Sequence, residues 1–131
     1  MNRNIKIGSK IENLRIVETA IDEVSAQIGI NKDNYGKILV SAMEAVNNAI
    51  VHGNKSIESK TVEINISFDK NILKITVMDE GPGFRFDAVP DPTKAENIEN
   101  VSGRGVFLMS KLADNIKFNE QGNKVTMSFK I

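Results

Sequence analysis

The chain has 131 residues, 40% of them hydrophobic, with 17 Lys+Arg set against 17 Asp+Glu for a formal net charge of zero. That length fits one domain, residues 1–131, and the charge balance argues against a nucleic-acid binder or a polybasic membrane-surface module, both of which need an excess of Lys and Arg. Cysteine is absent and His52 is the one histidine, which excludes disulfides, thiolate nucleophiles, cysteinyl zinc and a multi-histidine metal site within one chain.

From the N-terminus, Met1 to Ile7 lacks the apolar stretch of a signal peptide. No run of about 18 apolar residues follows, so the cytoplasm is the expected compartment. Asn4 to Ile7 fits a short strand, and Ser9 offers a helix cap. Leu14, Val17, Ile21, Val24 and Ile28 recur at steps of three and four, one apolar stripe on a first helix that Gly29 stops. Asn31 or Asp33 can cap a second helix with Ile38, Leu39, Ala42, Val46 and Ile50 on its apolar side, ended by Gly53. The period then becomes two. Val62, Ile64, Ile66 and Phe68 form one alternating row and Leu73, Ile75 and Val77 another, with Asp69-Lys70-Asn71 between them, which predicts an antiparallel hairpin. Residues 80–102 hold all three prolines and read as a long irregular segment. A third helix opens near Gly103. Two last strands, around Ile116 to Phe118 and Lys124 to Ile131, flank a turn at Gln121-Gly122-Asn123. The expected architecture is an α+β two-layer sandwich, a mixed sheet with about three helices on one face.

Three places could carry chemistry. Glu44, Asn48 and His52 are spaced four apart on the second helix. Four residues turn about 400°, so each lies about 40° round from the last and the three share roughly one face. The row is either a solvated polar stripe or a ligand-facing one. Asp79 follows Leu73, Ile75 and Val77 by parity and points to the same face, either as a strand-end turn residue or as a buried acceptor. Gly81 and Gly83 after it let backbone come close to a bound group. Ser102-Gly103-Arg104-Gly105 leads into the third helix, where free N–H groups and the helix dipole suit a phosphate or merely make a flexible cap. The chain has no Walker A loop and no dinucleotide-binding Gly-x-Gly-x-x-Gly after a strand.

In order and spacing these segments resemble the boxes of the Bergerat-fold ATPase superfamily shared by histidine kinases, gyrase, Hsp90 and MutL. Glu44 to Asn54 is similar to its N box. Asp79-x-Gly81-x-Gly83 is similar to the first glycine box, and Gly103-Arg104-Gly105-Val106-Phe107-Leu108-Met109 to the second. The wording Glu44-Ala45-Val46-Asn47-Asn48-Ala49-Ile50-Val51-His52-Gly53, with Pro90-Asp91-Pro92 between the boxes, most resembles the bacterial anti-sigma factor serine/threonine kinases, across essentially the whole chain.

The resemblance implies ATP and Mg²⁺ as cofactors. Asp79 would accept a hydrogen bond from the adenine amine, Asn48 would hold Mg²⁺ through its amide oxygen, and Glu44 would be the base for the substrate hydroxyl. Gly81 and Gly83 would approach the nucleotide, and Gly103, Arg104 and Gly105 would meet its phosphates. Residues 85–102 would form an ATP lid. The implied activity is a serine/threonine protein kinase phosphorylating a small anti-anti-sigma partner in a partner-switching pathway. Sequestration of a sigma factor and a homodimer are further implications. Two alternatives stay open: an ATP-gated binding regulator without kinase turnover, and a histidine-kinase-type catalytic domain, against which stands the lack of a preceding phosphoacceptor helix pair. The family's Gly-Thr pair before its last strand is altered here to Gly122-Asn123-Lys124-Val125-Thr126, so no phosphate role is expected there, and His52 is expected to be structural.

Overall fold

The computed structural model describes residues 1–81 and 109–131. Strand β1 is Asn2–Gly8; after a 3₁₀ turn at Ile11–Asn13 come helices α1, Leu14–Ile28, and α2, Lys32–Asn48. A π-helical stretch, Ala49–Gly53, extends α2, and strands β2, Thr61–Asp69, and β3, Ile72–Met78, follow. Residues 109–112 are helical and precede β4, Asn115–Phe118, and β5, Lys124–Lys130. The expected lid at 85–102, Gly83, Gly103, Arg104 and Gly105 lie outside the described residues.

Helix α1 ends and helix α2 begins as the sequence leads one to expect. Gly29 takes the left-handed conformation, φ 73°, and its N–H reaches the Ser25 carbonyl at 2.9 Å. The Asn31 side chain accepts the N–H of Asn34 at 2.8 Å, capping α2. Ser9 is a correction. It caps nothing, because its buried hydroxyl donates to the Lys60 carbonyl at 2.7 Å instead. Lys70 and Asn71, both with positive φ, make the two-residue turn between β2 and β3. Both central φ being positive defines the turn whose twist matches that of its strands.

The five strands stand in the order β1-β2-β3-β5-β4, and every pairing is antiparallel. The expected mixed sheet is therefore corrected. Between β1 and β2 the chain makes two helical passes, so it returns from the end it left and β2 runs against β1. β3 and β4 do run the same way, as a helical crossover requires. They are not neighbours, because β5 lies between them and opposes both.

One face of this sheet is apolar. Val62, Ile64 and Ile66, Leu73, Ile75 and Val77, and Val125, Met127 and Phe129 are buried in alternation along β2, β3 and β5. They form one core with Val17, Ile21 and Val24 of α1 and Ile38, Ala42 and Val46 of α2. Each large aliphatic side chain so buried contributes about 1.5–3 kcal/mol. The other face is polar: Asn4 donates to Glu63 at 3.2 Å, Asn65 to Asn2 at 2.8 Å, and the hydroxyls of Thr76 and Thr126 lie 3.3 Å apart. The end of β1, the start of β2, the end of β3 and the start of β5 gather at one end of the sheet, and the far end of α2 reaches the same place.

Candidate nucleotide site

The last turns of α2 carry Glu44 and Asn48, both half-buried, one turn apart beside the buried Ala45, Val46 and Ala49. Neither makes a side-chain hydrogen bond to another described residue. Beyond Asn48 the helix widens. The N–H of Asn54 reaches back five residues to the Ala49 carbonyl at 2.8 Å, and that of Ser56 six residues to Ile50 at 2.8 Å. Single π turns of this kind are found disproportionately at functional sites. This one carries the half-buried His52 and delivers Gly53 and Asn54 to the end of β3.

At that strand end stands Asp79, on the face the parity of β3 assigns it. Its surroundings leave no slack. A Cβ on Gly53 would sit 2.3 Å from Asp79 Oδ2, and one on Gly81 would sit 2.1 Å from the Gly53 carbonyl oxygen. Both glycines are therefore required by close approach of the chain to itself. The Asp79 N–H donates to the Asn123 carbonyl at 2.9 Å, and Asp79 Oδ1 accepts the Gly81 N–H at 2.8 Å. Burial pushes the Asp79 carboxyl above its usual range, against the opposing pull of the Gly81 N–H and the Lys60 charge. Next to it, the Glu80 carboxylate accepts from the Thr61 N–H and, at 3.2 Å, from the Thr61 hydroxyl, which hold its pKa below the usual range.

Asn54 is wholly buried and uses both ends of its amide. Nδ2 donates to Ser9 Oγ at 2.9 Å and to the Thr61 carbonyl at 3.0 Å, while Oδ1 accepts the Glu80 N–H at 2.8 Å. Asn119 does similar work in the β4–β5 turn, its Oδ1 accepting the N–H groups of Gly122 at 2.7 Å and Asn123 at 3.1 Å. That turn supplies the carbonyl that holds Asp79. Thr126 pairs with Thr76 on the polar face, away from the helices.

The structure thus packs Gly53, at the end of the α2 extension, against Asp79 and Gly81, with Asn48 and Glu44 on the preceding turns of the same helix. Gly53, Asn54, Thr61 and Asn123 are residues of this site to which the sequence reading gave no role. Gly53 and Asn54 fall there within the stretch similar to the N box, Gly53 as a helix stop, and nothing local marks Asn54 as buried. A half-buried carboxylate with an oxygen left over suits an amine donor, and a lone carboxamide oxygen suits a hard cation that takes most of its ligands from phosphate and water. Among the described residues no group of three or more His, Cys, Asp or Glu could hold a metal by itself. No helix among them is long and apolar enough to cross a membrane.

Residues 7–129 match the histidine kinase-like ATPase domain family. The serine-protein kinase RsbW of Bacillus subtilis is 26% identical over 131 residues, covering 95% of this chain and 82% of that protein. An anti-sigma F factor of Clostridium perfringens is 31% identical over 121 residues, covering 90% and 86%. A crystal structure of the RsbU and RsbW domains of a Mycobacterium tuberculosis protein superposes with a TM-score of 0.72 at 16% identity, covering 99% of this chain and 32% of that one. The chain belongs to the histidine kinase-like ATPase family and is an ATP-binding domain of Bergerat fold. Within that family it is an anti-sigma factor kinase, an ATP-dependent serine/threonine protein kinase of the partner-switching type.

Proposed function

We propose that this chain transfers the γ-phosphoryl group of ATP to a serine or threonine of a small anti-anti-sigma partner in the cytoplasm, and that as a homodimer it also sequesters a sigma factor. The observation that supports this reading is the meeting of the α2 extension with the end of β3: Gly53 touches the Asp79 carboxylate, and Asn48 and Glu44 lie on the helical turns just before it. Asp79 accepts the adenine amine; a guanine carbonyl at that place would repel the carboxylate. Asn48 offers its amide oxygen to Mg²⁺, which neutralises charge on the phosphates when bound. Glu44, one helical turn away, orients the substrate hydroxyl and takes its proton as the hydroxyl oxygen bonds to the γ-phosphorus and the bond to the β,γ-bridging oxygen breaks, releasing ADP. Gly83, Gly103, Arg104 and Gly105 are assigned to the nucleotide by their motifs alone.

The test is transfer of label from γ-labelled ATP to the cognate antagonist. Glu44→Gln is expected to lower transfer by about 10²–10⁴-fold, the usual weight of a general base, with ATP affinity retained. An unchanged transfer rate refutes the role of Glu44. Absence of transfer by the unaltered protein, with ATP bound and the true partner present, refutes phosphorylation and leaves ATP-gated binding as the output.

A further inference from the structure

Asn54 follows the α2 extension, and its amide ties together the exit of β1, the start of β2 and the residue after Asp79. Its two N–H bonds go to β1's exit, through Ser9 Oγ at 2.9 Å, and to the first residue of β2, through the Thr61 carbonyl at 3.0 Å. Its oxygen takes the N–H of the residue after Asp79 at 2.8 Å. The residue before it, Gly53, touches the Asp79 carboxylate so closely that a methyl group would not fit. Asn54 is 0% exposed and follows α2 six positions after Asn48, so no solvent competes for these bonds. The geometry calls for two donors and one acceptor on one planar group. Asparagine supplies that; aspartate lacks the donors and leucine has neither.

We propose that Asn54 is a positioning residue for base recognition: by clamping the Asp79–Glu80 peptide to the end of α2, it fixes where the Asp79 carboxylate stands relative to Asn48 and so sets the preference for adenine over guanine. This rests on the assignment of Asp79 to the adenine amine. A residue that only held the fold together would affect every ligand alike. A positioning residue for Asp79 affects the base and spares the phosphates.

The experiment measures the affinity of the whole protein for ATP, GTP and inorganic tripolyphosphate, with magnesium, in the unaltered protein and in Asn54→Ala, Asn54→Asp and Asp79→Asn. Asn54→Ala is expected to reduce the ATP-over-GTP ratio about tenfold, the weight of one hydrogen bond, with tripolyphosphate affinity unchanged. Asn54→Asp, which keeps an acceptor for the Glu80 N–H but loses both donors and buries a charge, is expected to lower the ratio as Asn54→Ala does. If Asp79→Asn leaves the ratio intact, the assignment of Asp79 is wrong and the proposal falls with it. If Asp79→Asn abolishes the ratio while folded Asn54→Ala keeps it, or if Asn54→Ala weakens tripolyphosphate equally, the positioning role alone is overturned. Should Asn54→Ala not fold, hydrogen exchange in the unaltered protein decides. The Glu80 amide is expected to exchange slowly in the absence of nucleotide, and exchange at the rate of an open peptide overturns the proposal.

Discussion

At the scale of single residues the site is governed by absence of volume. Gly53→Ala asks for a methyl group 2.3 Å from a carboxylate oxygen, so either Asp79 or the end of α2 must move. The expected result is a folded protein whose ATP affinity is lower by about ten- to a hundredfold, the weight of a hydrogen bond to a charged group, read by calorimetric titration; an affinity within threefold of the original would show that Asp79 tolerates displacement. Asp79 itself was legible in the sequence, because a strand's alternation carries the direction of Leu73, Ile75 and Val77 forward to it. Asn54 was not. What marks it is the set of partners at positions 9, 61 and 80, and no window of local sequence contains them.

At the scale of elements, what periodicity controls came through and what pairing controls did not. The stripe of α1, its glycine stop, the asparagine cap of α2 and the two rows of the β2–β3 hairpin are local patterns, and each folds as its pattern directs. The sheet's antiparallel character depends on β5 inserting between β3 and β4, a choice made between segments far apart in the chain. Ser9 shows the same limit, since its partners lie across the sheet end. Helix α2 also carries a misfit of its own. Ser41 is fully buried and its hydroxyl has no hydrogen-bond partner among the described residues. Burying such a group costs more than it returns, and alanine is the better helix former. Ser41→Ala is expected to raise the unfolding free energy by about 1 kcal/mol, measured by chemical denaturation. A loss of stability would mean that the hydroxyl has work the fold alone does not reveal.

For the molecule as a whole, the raised Asp79 pKa links stability, nucleotide and pH. Burial disfavours the ionised carboxyl, so in the folded protein Asp79 still holds its proton at a pH where the unfolded chain has released it. Its contribution to stability is therefore full below the unfolded pKa and is lost as pH rises through the folded one. In the proposed role of Asp79 the adenine amine needs the ionised form, and binding acts in the opposite sense. ATP is expected to release protons in that same window and to bind more weakly as pH falls through it. Calorimetry in buffers of different ionisation enthalpy measures the released protons. Their absence in the unaltered protein, or their persistence in Asp79→Asn, would sever the link. In the unliganded protein Asp79→Asn should remove the fall in stability across this window.

The strand that leads to Asp79 begins beside residues 1 and 131. The Met1 carbonyl accepts the Phe68 N–H at 3.0 Å, and the Ile131 N–H reaches the Asn71 carbonyl at 2.9 Å, so residues 1 and 131 both sit at the β2–β3 turn. The length of β3, about 20 Å, separates them from the nucleotide. A fluorescent tag, an affinity handle or a surface tether attached at residue 1 or residue 131 would hang from the opposite end of the sheet, leaving the face proposed to meet ATP open for measurement.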